Sequence, residues 1–90
     1  MINLKLTTSE INLLQKALID YVITSTSLLR HEKDLYWNTI EYICRSSSFT
    51  SKSINRLYRA LTVYIAKYVH EDTSAMQQLS QKLLIYINEV

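Results

Sequence analysis

The sequence predicts an all-α fold, a small four-helix bundle in one domain spanning residues 1–90, and two observations predict it. The chain contains no glycine and no proline in 90 residues, where an average chain would carry about eleven of the two together. Four stretches also place apolar residues at helical period, divided by short polar runs, and a chain of this length can bury one core. On that basis about 70% or more of the chain should be helical. Without glycine there is no P-loop, dinucleotide fingerprint or nucleophile elbow, because each needs backbone free of a Cβ at a fixed place. An enzyme is not expected, and no cofactor is implied.

The first helix should begin at Thr8, since Thr7 and Glu10 have capping-box spacing and Leu6 and Ile11 that of a hydrophobic staple. Its stripe runs Ile11, Leu14, Leu18, Tyr21, Val22, Leu28 and Leu29, widened by Leu13, Ala17, Ile19 and Ile23. Ser25, Thr26 and Ser27 should weaken or bend it. Arg30 to Asp34 reads as a connection, with Asp34 capping a second helix through about Ser46. Leu35, Trp37, Ile40, Ile43 and Cys44 would form that helix's apolar stripe, made ragged by Tyr36 and Tyr42, and a lone tryptophan in a small bundle is expected in the core. The serine triplet Ser46 to Ser48 favours a turn. A third helix starts near Thr50 or Ser51 with the cleanest stripe: Ile54, Leu57, Tyr58, Leu61, Tyr64, Ile65, Tyr68 and Val69. A cap within Asp72 to Ser74 opens the fourth, with Met76, Leu79, Leu83, Tyr86, Ile87 and Val90 on one side. No internal repeat is expected.

Charge is uneven along the chain. From Tyr42 to His70 there are five cations, Arg45, Lys52, Arg56, Arg59 and Lys67, and no acid, whereas the remainder sets five lysines and arginines against eight acids. Lys52, Arg56 and Arg59 follow i, i+4, i+7 spacing and so share one helix face, where like charges repel by a few tenths of a kcal/mol per pair. A helix that keeps them can do so for an anionic partner. A solvated face that merely lacks acids is the alternative.

The same segment, IEYICRSSSFTSKSINRLYRAL, resembles a helix-turn-helix of the phage-repressor kind formed by helices 2 and 3, with a four-residue turn ending near Ser48. The resemblance covers about a quarter of the chain. It departs from the pattern at Ser48, where glycine is usual, and at Ser47, where an apolar residue is usual, and a serine at positive φ is strained. The resemblance implies that the third helix enters the major groove by its N-terminal residues. Thr50, Ser51, Lys52, Asn55 and Arg56 would then face the DNA, with Arg56 able to read guanine and Asn55 adenine, and Arg45 and Arg59 would add to the basic surface.

Two readings of function follow. One is a DNA-binding transcriptional regulator that takes double-stranded DNA. The other is a protein-binding antagonist or adaptor, of the kind phages and plasmids encode, that inhibits a host protein through its helical surface by covering an acidic or nucleic-acid-binding site. A homodimer is expected through Leu13, Ile19 and Ile23, which lie off the Leu14, Leu18, Tyr21 stripe, unless the fourth helix covers them. Cys44 reads as a small packing residue. His31 and His70 read as helix-end cations rather than metal ligands, so no metal site is expected. The start MINLKLTTSE has no signal-peptide core and no apolar run reaches the roughly 18 residues of a span, so a cytoplasmic location is expected and no membrane partner.

Overall fold

At the N-terminus the Thr7 hydroxyl accepts the Glu10 N–H at 3.1 Å while the Glu10 carboxylate accepts the Thr7 N–H at 2.9 Å, the reciprocal capping box that the spacing predicts. The computed structural model describes residues 2–25, 27–45 and 48–88, and in it this cap opens helix α1 (Thr8–Thr24). The other helices are α2 (Arg30–Tyr42), α3 (Ser51–Lys67) and α4 (Ser74–Asn88), and helix makes up 74% of the described residues. None of these helices is long and apolar enough to cross a membrane. The Thr50 hydroxyl caps α3 by accepting the Ser53 N–H at 3.2 Å, and the Asp72 carboxylate accepts the Ser74 N–H at the start of α4.

Four local expectations are corrected. Helix α1 stops at Thr24 with Ser25 as its C-cap, so Leu28 and Leu29 lie beyond it; Thr26 is outside the described residues. Helix α2 begins at Arg30 rather than after Asp34, because Arg, Glu and Lys are good helix formers and Glu32 suits the positive end of the dipole. It ends at Tyr42, not near Ser46, which lies outside the described residues. Its buried side is Tyr36, Thr39, Ile40 and Ile43, one position round from the expected stripe, so Leu35, Trp37 and Cys44 are exposed. Cys44 is thus no packing residue; its sulfur instead accepts the Gln15 amide N–H.

The largest departure lies between α2 and α3. In place of a four-residue turn the chain runs through Ile43 to Thr50 and includes a short strand, β2 (Ser48–Phe49), paired antiparallel with β1 (Ile2–Asn3) in the register Ile2 to Phe49 and Asn3 to Ser48. No described residue has positive φ, so Ser48 is extended and unstrained. Phe49 and Leu4 are fully buried, and Tyr42 meets the Phe49 ring edge-on and donates its hydroxyl to the Ser48 carbonyl at 2.6 Å. Burying Phe49 and Leu4 under one sheet draws the chain away from a tight helical turn.

These elements repeat, against the expectation of no internal repeat. The order is β-α-α twice, and Thr7, Ile11, Asn12, Leu14, Ala17, Leu18 and Tyr21 recur at a constant offset as Thr50, Ile54, Asn55, Leu57, Ala60, Leu61 and Tyr64. Both α1 and α3 have 17 residues. The same offset relates Tyr36 and Ile40 of α2 to Leu79 and Leu83 of α4, all four buried. Helices α1 and α3 pack on each other, with α2 outside α1 and α4 outside α3. Leu14, Ala17, Leu18, Leu57, Ala60 and Leu61 are fully buried in one core. The alanines keep their helices free of bulk at matching positions.

Candidate functional site

The face of α3 opposite Leu57 and Leu61 forms one wall of an open groove of about 650 Å³, and α2 forms the other. Lys52, Asn55, Arg56, Tyr58, Arg59 and Thr62 come from α3, and Glu32, Leu35 and Tyr36 from α2. An adjoining hollow of about 310 Å³, lined by Leu35, Asn38, Thr39, Tyr42, Thr50, Ser53 and Arg56, continues it past the N-terminus of α3. Arg56 and Leu35 belong to both. Helical periodicity puts the cations on one face; only the packing of α2 on α1 turns that face into a groove.

Among the described residues, Lys52, Arg56 and Arg59 take part in no ion pair or hydrogen bond. Other cations are matched: Lys67 lies 3.2 Å from Asp20, Lys82 lies 3.2 Å from Glu10, and Arg45 lies 3.7 Å from Glu41. Glu32 is the only acid on the groove wall. At the floor, burial and the neighbouring Tyr21 hydroxyl push the Tyr36 phenol up to about 12, against the opposing pull of the Arg59 and Arg56 guanidiniums. Tyr36 therefore stays neutral at physiological pH and never becomes a counter-ion for the arginines.

The repeat supplies an internal control. At the positions of Lys52, Arg56 and Arg59, α1 carries Ser9, Leu13 and Lys16. The same helix in the same fold thus does without the triad, and a solvated face imposed by the architecture does not account for it.

The structure gathers some of the residues expected to bind DNA and separates others. Lys52, Asn55, Arg56 and Arg59 line the groove. Thr50 uses its hydroxyl to cap α3, Ser51 lies beside Ile2, Ile54 and Ile87 in a small hollow, and Arg45 sits in the turn after α2 paired with exposed Glu41. Of the residues expected at a subunit interface, Leu13 packs against the core, Ile19 is at the surface and Ile23 is 68% exposed. The fourth helix does not cover Ile23. Sequence reasoning missed Glu32, Leu35 and Tyr36 as groove residues, because the charges of Arg30 to Asp34 read as a connection and left the face of α2 undefined.

No protein family, curated protein or solved structure matches the chain.

Proposed function

We propose that the protein is a small non-enzymatic DNA-binding regulator that holds double-stranded DNA along the α2–α3 groove. The observation that carries this reading is the unpaired triad Lys52, Arg56 and Arg59 on one face of α3, absent at the matching positions of α1. Phosphate contacts supply most of the affinity of such proteins and make it salt-dependent. Three contacts give a salt slope near −2.7, so a random-sequence duplex followed by fluorescence polarisation should bind about 40-fold more weakly at about 200 mM than at about 50 mM salt. No binding at the lower salt overturns the reading.

A second reading is favoured by one observation. Leu35 and Tyr42, exposed beside Arg56, give the groove an apolar wall, which suits an acidic amphipathic segment of a host protein. In that case binding survives higher salt, and Leu35→Ala weakens it as much as Arg56→Ala does. We also propose a homodimer through Ile19 and Ile23, which flank a hollow of about 470 Å³ with Lys16 and Glu71 at its rim. Two-fold pairing sets Lys16 of each copy against an acid of the other. Ile23→Glu should give a folded monomer by light scattering, and a wild type that is monomeric at high micromolar concentration overturns the dimer.

A further inference from the structure

We infer that Arg56 and Arg59, above the Tyr36 phenol, form a seat for one phosphodiester group, so that the groove grips the nucleic-acid backbone and reads no base. The inference rests on the duplex reading and specifies which part of the duplex is held. Arg56 and Arg59 are three residues apart on α3 and therefore neighbours on its surface, and both line the groove whose floor is Tyr36. Arg56 is half-buried and borders both hollows, so its head lies between α2 and α3 rather than beyond them. A reading side chain must instead project from a protruding helix into a major groove about 12 Å wide.

Two guanidiniums side by side without an acid repel, and the fork geometry of each matches the paired oxygens of a phosphate. Tyr36 supplies a polar but uncharged base that leaves both forks free. Asn55 and Lys52, one turn or less away along α3, lie where a neighbouring sugar and phosphate would pass. Leu13 and Lys16 stand at the matching positions of α1 and could not build such a seat.

The test follows backbone amide shifts by NMR on the whole protein while inorganic phosphate replaces chloride at constant ionic strength. Saturable shifts at Tyr36, Arg56 and Arg59 are expected, lost in the R56Q/R59Q double variant with the remaining spectrum unchanged. Arg56→Lys should bind phosphate several-fold more weakly despite its retained charge. Phosphate should also displace a bound duplex, and Arg56→Ala should weaken a panel of unrelated duplexes by a common factor. Duplex binding without saturable phosphate shifts overturns the seat and leaves the duplex reading standing, as does an Arg56→Ala variant that loses preference at one base pair only. Phosphate shifts with no duplex binding overturn the duplex reading, and a parallel titration with 5′-AMP then shows whether the same seat takes a phosphomonoester.

Discussion

The face of α1 that carries Ser9, Leu13 and Lys16 and the matching face of α3 that carries Lys52, Arg56 and Arg59 begin from the same cap, run for the same length and bury the same Leu, Ala and Leu. Their outer surfaces nevertheless differ. On α1, Glu10 is tied to Lys82 of α4 and Asp20 to Lys67 and Tyr68 of the opposite half, so charges there join elements together. On the outer face of α3 the charges join nothing. The comparison separates what the fold requires of a helix in this position from what is added to it, because the core positions are shared and the cations are not.

The strongest test of the shared part is truncation at paired core sites. Leu18→Ala and Leu61→Ala should each cost about 2–5 kcal/mol in urea unfolding, and the two values should resemble each other. A loss under about half a kcal/mol at either site would break the equivalence of the halves. Next in size is the test of the added part: K52S/R56L/R59K gives α3 the residues of α1, and duplex affinity should fall by about 3 kcal/mol or more, the sum of about 1 kcal/mol or more per lost contact, with the melting temperature nearly unchanged.

Glu10→Ala sharpens the comparison at the caps. It removes half of the capping box and the partner of Lys82, and should cost about 1 kcal/mol at neutral pH, whereas Ser53→Ala at the equivalent place in α3 should cost less. Burial pushes the Glu10 carboxyl up, but the Thr7 N–H, the hydrogen bond and charge of Lys82 and the Thr7 side chain outweigh it and leave its pKa below the usual glutamate value. A depressed carboxylate stabilises the fold above its unfolded pKa and loses that contribution as pH falls through the folded one. The difference between wild type and Glu10→Ala should therefore shrink as the pH is lowered from neutrality into the acid range. At the other end of the scale, the raised Tyr36 pKa contributes stability that is full below about pH 10 and lost as pH rises through about 12, so Tyr36→Phe should flatten alkaline unfolding. The smallest effect is expected from Lys16→Ala: within about 0.5 kcal/mol in stability, and none on duplex binding, because Lys16 lies outside the cationic groove.

Much of this molecule is legible in its order of residues, and what is legible is local. Helix starts at Thr8 and Ser51 follow from a hydroxyl and a backbone N–H three residues apart, the burial of Leu57 and Leu61 from a period of 3.6, and the shared face of Lys52, Arg56 and Arg59 from the same period. The inner face of α2 was not legible, because Tyr36 and Trp37 are both large and aromatic and only contact with Tyr21, whose ring centroid lies 5.0 Å from that of Tyr36, decides which turns inward. Pairing of Ile2 with Phe49 was not legible either, since two-residue strands carry almost no local preference and join only when a distant partner is held in place. The repeat was written in the chain from Thr7 to Tyr21 and from Thr50 to Tyr64, yet composition and charge hid it until the shared core positions were seen side by side. The sequence by itself determined four helices, their caps and a line of cations. Tertiary structure alone decided that those cations look into a groove, because a groove needs two walls and the wall made by α2 is set by its packing on α1.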